Sequence, residues 1–315
     1  MRYISSQLFP SLKPLKPKSF TRPFSFNAEA VDQWISRKKQ SVLTETLNTD
    51  RISDLYITLP TRDGTRKSYE PPKDGTPLPY GHHLPFFHAR VPEPELRSDA
   101  TDGDFCPPPP FDRRMWAGGK IEWKRPLLVG DKATSVSTVV PSSVEKKGFN
   151  RGAPMLFVTQ DIEVTTEGRD DVAIREQRSH VYVSTTVGER KVRKVENLPS
   201  PDFSFTYIPT PVTLFRFSAL MFNAHHIHLD RDYAQNVEGY TERLVHGPLT
   251  ALMLLDSFTF HNPVVQIKTF EYRAVNPILV NESSTIHGAW TSSREVQLWA
   301  VNPDGVVGMW GKVLL

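Results

Sequence analysis

Four of the ten histidines lie between residues 225 and 246, and this concentration constrains the chain more than any other feature. An apolar stretch with near-helical spacing breaks at Asn223, and three histidines follow closely: His225, His226 and His228. Imidazole is the side chain that exchanges protons near neutral pH, and it is also a common metal ligand. The cluster therefore predicts proton chemistry or metal binding, although a single histidine is more often structural or solvent-facing.

The same stretch ends in a helix start. Gly247 and Pro248 precede a long apolar run, residues 249–260, and proline is favoured in the first turn of a helix. The first N–H groups of a helix lack partners within it and attract negative charge. Chemistry beside a carbonyl requires an acid/base group and a donor for the oxygen, so the cluster and the Gly247 N–H together favour that chemistry over a plain helix start.

Length and charge narrow the classes of protein. A chain of 315 residues predicts about two domains. No apolar run approaches the roughly 20 residues needed to span a bilayer. Residues 1–28 hold five of the 38 basic residues and none of the 35 acidic ones, so the remainder is close to neutral. This distribution argues against a nucleic-acid-binding protein, and the single cysteine, Cys106, excludes an intramolecular disulfide.

The basic, acid-free leader is typical of a mitochondrial presequence, so we expect the protein in the mitochondrial matrix. Its four prolines interrupt an amphipathic helix and leave a disordered tail as the alternative.

The remaining pattern indicates two similar units, each a helix followed by a curled antiparallel sheet. Residues 29–59 are predicted to be helical, with a change toward strand from residue 51. Residues 60–110 are rich in proline and glycine, and such a long irregular stretch lines a site or is disordered. The predicted leader or tail is residues 1–28, and the first domain, with its Pro-rich insertion, is residues 29–186. A linker follows at residues 187–206, and the second, catalytic domain is residues 207–315.

Several short motifs carry a resemblance to a known family. They lie at residues 114–119, 126–127, 130–131, 217–220, 223–228 and 244–250. The second half resembles the MaoC-like hydratase/dehydratase branch of the hotdog fold. The chain from about residue 29 to 315 resembles mitochondrial type 2 3-hydroxyacyl-thioester dehydratases and mesaconyl-CoA and itaconyl-CoA hydratases. The resemblance implies an α+β double hotdog, two tandem hotdog domains that each curl a sheet around a central helix.

The resemblance also implies a reaction: reversible dehydration of a (3R)-hydroxyacyl thioester to the trans-2-enoyl thioester in mitochondrial fatty acid synthesis. The thioester is carried by acyl carrier protein or coenzyme A. The family loop, Asp-x-Asn-Pro-(Leu/Ile)-His, places its histidine at His228. Asn223 stands at the aspartate position, while His225 and His226 replace the asparagine and the proline.

These correspondences imply roles for eight residues. His228 is the base, the Asn223 amide holds the C3 hydroxyl or water, and His225 supplies a second acid/base group or orients His228. The Gly247 N–H binds the thioester oxygen. The substrate-binding candidates are Ser218, His246, Arg243 and Arg216. We expect no cofactor, no metal, one active site per chain, and a homodimer as a possible assembly.

Other functions remain open. A hydratase for a dicarboxylic CoA ester of the mesaconyl or itaconyl type needs a cationic group in its acyl pocket, whereas a fatty-acyl enzyme needs an apolar tunnel. The missing carboxylate at Asn223 favours a non-catalytic thioester-binding protein. His225, His228 and His246 could form a metal site without an evident fourth ligand. A thioesterase is compatible with a hotdog fold as well.

Overall fold

The structure is a computed structural model that describes residues 27–62, 70, 72–149, 153–184 and 191–315. The predicted presequence, residues 1–28, lies almost entirely outside the described residues. No helix in the described ranges is long and apolar enough to cross a membrane.

The N-terminal half begins with two helices on either side of a strand and continues as an antiparallel meander. Its elements are α1 (Ala28–Ser36), β1 (Lys39–Thr46), α2 (Thr49–Thr58), β2 (Arg113–Trp123), β3 (Lys132–Val139), β4 (Val144–Lys147), β5 (Met155–Thr166) and β6 (Ile174–Val183). Short 3-10 turns lie at Pro60–Arg62, Glu93–Glu95 and Pro141–Ser143.

The C-terminal half places four helices after its first strand and then four strands. Its elements are β7 (Phe203–Tyr207), α3 (Pro211–Met221), α4 (His226–Leu229), α5 (Arg231–Asn236), α6 (Gly247–His261), β8 (Thr269–Ala274), β9 (Ser284–Ser292), β10 (Glu295–Val301) and β11 (Val307–Leu314).

The eleven strands of the described residues belong to one sheet. Its order is β1-β3-β5-β6-β2-β8-β11-β10-β9-β7, with β4 paired to β5, and every pairing is antiparallel. The halves meet where β2 pairs with β8, from Gly118 opposite Arg273 to Glu122 opposite Thr269. A Cβ on Gly118 would lie 2.5 Å from the Tyr272 carbonyl oxygen, so glycine permits this close backbone approach. The α+β double hotdog is confirmed.

The central helices of the two halves differ in length and burial. The long helix α6 has 15 residues, and the residues from Pro248 to Phe258 are all buried. Such a helix, apolar on every side, is typical of a domain core. By contrast, α2 has 10 residues and buries only Ile52, Leu55 and Thr58. The N-terminal sheet is therefore covered by a shorter and more polar helix.

Two secondary-structure predictions in the N-terminal half were wrong. Residues 39–46, expected to be helical, form β1, where buried and exposed side chains alternate against β3. Residues 51–58, expected to turn toward strand, form most of α2. The side chain of Asn48 caps this helix by accepting from the Arg51 N–H at 2.8 Å. The three- and four-residue spacing of Ile52, Leu55 and Leu59 then places these side chains on one buried face.

Residues assigned to the linker contribute a strand. The first four residues of β7 belong to the predicted 187–206 segment, and the strand pairs with β9, from Phe203 opposite Gly288 to Tyr207 opposite Ser284. The division of the chain into domains stays a prediction, and its boundary between residues 206 and 207 falls inside β7.

Candidate active site

His228 lies in the short helix α4, and its tautomer follows from one hydrogen bond. Its Nδ1 lies 2.8 Å from the Leu244 carbonyl oxygen, which can only accept, so Nδ1 carries the proton. The lone pair is then on Nε2. Burial lowers the pKa of His228 to about 4. The imidazole is therefore neutral at neutral pH and has a nitrogen able to accept a proton.

The ring of His228 lies at the start of the central helix. It stacks on His246 with ring centroids 3.7 Å apart, and His246 is the N-cap residue of α6, directly before Gly247. The Leu244 N–H donates to the Ile227 carbonyl at 3.1 Å, which ties α4 to the segment leading into α6. These contacts place a base and a helix N-terminus side by side.

Gly247 is a glycine because the N-terminal half packs against it. A Cβ at this position would lie 2.7–2.9 Å from three atoms of Trp116. Trp116 lies on β2 beside a bulge in the pairing with β6, and bulges commonly redirect a side chain near a site. No side chain caps α6, and the Gly247 N–H donates to no other described residue. This N–H is therefore available to an oxygen in the cavity.

The loop before α4 is fixed by backbone and side-chain contacts. Asn223 Oδ1 accepts from the His225 N–H at 3.1 Å, and the Asn223 N–H donates to the Ser218 carbonyl at 2.9 Å. The side chain that replaces the expected aspartate therefore holds the loop in place. Its amide nitrogen makes no hydrogen bond with another described residue.

A carboxylate reaches this loop from the Pro-rich insertion. Asp99 Oδ2 lies 3.7 Å from His225 Nε2, and the Asp99 carbonyl accepts from the His226 N–H at 3.0 Å. Burial, and then the nearby His228 and Arg114, hold the pKa of His225 well below its usual value. Sequence reasoning missed Asp99, because no local pattern connects it with residues over a hundred positions away.

Ser218 and His246 form a buried pair beneath the site. The Ser218 hydroxyl lies 2.8 Å from His246 Nε2, and both side chains are buried. Burial, followed by the neighbouring His228 and His225, holds the pKa of His246 well below its usual value. A neutral His246 linked to α3 supports the stacked ring of His228.

Six of the eight predicted site residues line one cavity of about 990 Å³. They are His228, Asn223, Gly247, His225, Ser218 and His246. The structure does not bring the two predicted arginines to this cavity. Arg216 lines a separate pocket beside Arg51 and Arg90. Arg243 is bound by Glu242, with Nε 2.9 Å from Oε1.

The N-terminal half forms the opposite wall of the cavity. Its apolar lining includes Leu43, Leu96, Phe105, Met115, Met155, Phe157, Val181 and Val183. Two arginines on this wall are already paired. Arg114 contacts Asp102 through two hydrogen bonds of 3.2 and 3.5 Å, and Arg178 contacts Glu176 through two of 2.7 and 3.0 Å. The motif at residues 114–119 carried the only sequence signal for Arg114 and Trp116.

The three histidines of the alternative metal site do not converge. The rings of His228 and His246 are stacked, with centroids 3.7 Å apart and an angle of 24° between their planes. Their contacts with Leu244 and Ser218 also occupy one nitrogen of each ring. In the ranges that the structure describes, no group of three or more His, Cys, Asp or Glu side chains has a geometry suited to a metal ion.

A tandem hotdog with a neutral histidine at the N-terminus of its buried helix defines the hydratase/dehydratase class of hotdog proteins. The chain belongs to the hydroxyacyl-thioester dehydratase type 2 family, whose sequence model matches residues 81–280. It is therefore a hydro-lyase.

Curated relatives and a solved structure agree with this placement. The chain is 35% identical over 243 residues to the mesaconyl-C(4)-CoA hydratase of Chloroflexus aurantiacus, covering 76% of this chain and 84% of the relative. It is 30% identical over 230 residues to the mitochondrial hydroxyacyl-thioester dehydratase type 2 of Schizosaccharomyces pombe, covering 66% and 76%. The fold is similar to that of a MaoC-like dehydratase from Phytophthora capsici, with a TM-score of 0.63, 18% identity, and coverage of 92% and 97%.

Proposed function

We propose that the protein interconverts a 3-hydroxyacyl thioester and the corresponding 2-enoyl thioester at the His228 site. The observation that carries the proposal is the pairing of one neutral imidazole with one unpaired N–H on a single cavity. His228 Nε2 supplies the base, and Gly247 supplies the donor. Removing a proton from the carbon beside a carbonyl requires both groups at once.

In the dehydration direction, His228 Nε2 takes the proton from C2 while negative charge develops on the thioester oxygen. The Gly247 N–H, assisted by the positive end of α6, stabilises that oxygen. The electron pair on the thioester oxygen then moves back toward carbon, so that the C2=C3 double bond forms and the C3–O bond breaks. The protonated imidazole delivers its proton to the departing hydroxyl, which leaves as water. One proton moves from C2 to oxygen, and His228 ends neutral.

Asn223 is placed to contact the hydroxyl in this scheme, and His225 to position the loop beside His228. The amide nitrogen of Asn223 cannot exchange a proton, but it can donate a hydrogen bond to the C3 oxygen or to water. His225, backed by Asp99, lies with its ring centroid 5.3 Å from that of His228. This arrangement supports a positioning role for His225 and leaves proton transfer to His228.

The cavity wall favours an acyl chain that is mainly apolar. The lining from the N-terminal half is largely aliphatic and aromatic. The cations Arg114 and Arg178 are each neutralised by a carboxylate. A second candidate is a dicarboxylic CoA ester, because these arginines still present part of their surfaces, with 18% and 14% of the side chain exposed. One relative is named a mesaconyl-C(4)-CoA hydratase, which also supports this candidate.

We propose the mitochondrial matrix as the location and fatty acid synthesis as the pathway. Two relatives are named mitochondrial, and the basic, acid-free composition of residues 1–28 fits a presequence. Fluorescent fusions with and without residues 1–28 test the location. The truncated fusion should lose mitochondrial import, and equal import of both would contradict the proposal.

Turnover by the purified protein tests the reaction. Enoyl thioesters of increasing chain length and a mesaconyl thioester are compared by loss of the conjugated absorbance. His228→Ala should lower kcat by about 10²-fold or more, the contribution of a positioned base. His287→Ala is the control, since His287 lies half-buried on β9, where its ring hydrogen-bonds Ser204.

Three results would contradict the proposal. Equal rates for His228→Ala and the wild type would exclude His228 as the base. The absence of turnover with every thioester would favour a non-catalytic binding protein. Release of free thiol without hydration would favour a thioesterase. A preference for the mesaconyl thioester, by contrast, would select the dicarboxylic candidate.

A further inference from the structure

Three unpaired cations line the cavity that contains the proposed site. Lys191, Arg193 and Arg273 are all exposed, and none of them forms an ion pair with another described residue. They differ in this respect from Arg114 and Arg178 of the same cavity, which are held by carboxylates. Nothing within the described protein neutralises these three charges.

Asn276 fixes the segment that carries two of these cations. Its Oδ1 accepts from the Arg193 N–H at 2.9 Å, and its Nδ2 donates to the Arg193 carbonyl at 2.8 Å and to the Val307 carbonyl at 2.7 Å. Arg273 lies on β8, three residues before Asn276. The three cations are thus gathered where the segment after residue 190 meets the end of β8.

A continuous wall connects these cations with the catalytic residues. Every residue from Arg273 to Ile278 lines the cavity. The Val245 N–H donates to the Ile278 carbonyl at 2.9 Å, and Leu244 and Leu279 form a bridge. Residues 244–245 lead directly to Gly247. A thioester held at Gly247 therefore has a path along residues 273–278 toward the three cations.

The charge of the lining indicates the kind of ligand that fits this path. The acidic residues of the cavity, Glu93, Asp102 and Asp104, all come from the segment before β2. No acidic side chain among the described lining residues comes from the C-terminal half. The lysine and arginine residues that the C-terminal half contributes to the lining are therefore not matched by acidic residues of that half, which suits an anion with several charges.

We propose that Lys191, Arg193 and Arg273 bind the phosphate groups of coenzyme A, so that the carrier of the acyl group is the nucleotide rather than a carrier protein. The inference rests on the proposed function. The nucleotide end of coenzyme A bears a pyrophosphate and a 3′-phosphate, which matches several unpaired cations. The phosphodiester of acyl carrier protein bears a single charge.

The test compares one acyl group on two carriers. The double variant Arg193→Glu/Arg273→Glu is assayed with an enoyl-CoA and with the same enoyl group on N-acetylcysteamine, which lacks phosphates. We expect the ratio of the two kcat/KM values to fall roughly tenfold or more at low salt, since each exposed charge contact contributes up to about fivefold. The change should appear in KM and diminish at high salt.

A matched variant and a binding measurement complete the test. Lys268→Glu/Arg294→Glu makes the same change in net charge at exposed positions away from the cavity and should preserve the ratio. Adenosine 3′,5′-bisphosphate, titrated by calorimetry, should bind the wild type and lose affinity in the Arg193/Arg273 variant.

An unchanged ratio, or an equal fall in the matched variant, would overturn the proposal. The proposal would also be overturned if the Arg193/Arg273 variant lost activity only with the same enoyl group on acyl carrier protein. If the wild type turns over no thioester, the proposed reaction fails. The bisphosphate titration then decides separately whether the cations form a phosphate site.

Discussion

The contact between Gly247 and Trp116 makes Gly247→Ala the sharpest test of the oxygen-binding N–H. The new Cβ would lie 2.7–2.9 Å from three Trp116 atoms, whereas carbon atoms in contact normally lie about 3.5–4.0 Å apart. Because the indole is a rigid ring packed against Arg178 and His180, the start of α6 must shift by roughly 1 Å to restore that contact distance. A misplacement of this size is expected to lower kcat by about 10²-fold.

A double-mutant cycle separates the contact from other effects of the alanine. Trp116→Ala removes Cγ and Cδ1, two of the three Trp116 atoms closest to Gly247, and the double variant should regain part of the rate lost in Gly247→Ala. Initial rates with a saturating enoyl thioester give kcat for all four proteins, and thermal unfolding confirms that each one folds. A Gly247→Ala rate within twofold of the wild type, or strictly additive effects in the cycle, would refute the reasoning.

Four further predictions concern pH and single contacts. Since burial lowers the pKa of His228 to about 4, kcat/KM should stay level as the pH falls from about 8 to 5.5 and drop only near pH 4; a pH–rate profile with a midpoint near 6.5 would contradict a buried base. Between about pH 6.5 and pH 4, the unfolded chain binds a proton at His228 that the folded protein does not bind. The stability that the neutral ring contributes above about pH 6.5 is therefore lost as the pH falls toward 4. The unfolding temperature should decrease over the same range. Glu238→Gln should reduce the free energy of unfolding by about 3–5 kcal/mol, because it leaves the Arg113 charge buried without its ion-pair partner. Urea titration measures this loss of stability. A change below about 1 kcal/mol would be too small for a buried pair and would contradict the prediction. Asp99→Asn should lower kcat by less than the roughly 10²-fold expected for loss of a proton-transfer group, because the Asp99 carboxylate lies beside His225, Arg97 and Thr101 and does not line the cavity. An effect as large as that of His228→Ala would assign Asp99 a direct part.

The centre of the site could be predicted from the sequence because its parts are local. His225, His228 and Gly247 lie within 23 residues of one another in the sequence, so short-range patterns were sufficient to associate them. Trp116 and Asp99 could not be assigned, since they reach the site only through the pairing of β2 with β8 and the packing of the Pro-rich insertion. The prediction of substrate-binding arginines depended on charge alone. In the structure, Arg216 lines a separate pocket and Arg243 pairs with Glu242, so neither lines the cavity of the candidate site.

The fold was predictable at the level of strands and a repeated unit, and less so at the N-terminal end. Buried and less buried side chains alternate along the whole of β5, as expected for a strand with one buried face. Residues 39–58 were misassigned because their polar composition hides both periods. There, the Asn48 cap and pairing with β3 determine the local structure.

The N-terminal half takes part in the candidate site as well. Its Trp116 packs against Gly247, which carries the proposed oxygen-binding N–H, and its Asp99 carbonyl accepts from the His226 N–H in the loop that carries His225. The buried ion pair of Arg113 with Glu238 fastens β2 to the segment after α5. Its short helix α2 covers less of the sheet than α6 covers in the other half, and its apolar wall lines the cavity. The cavity therefore takes its apolar wall from the N-terminal half, and the His228 ring and the Gly247 N–H from the C-terminal half.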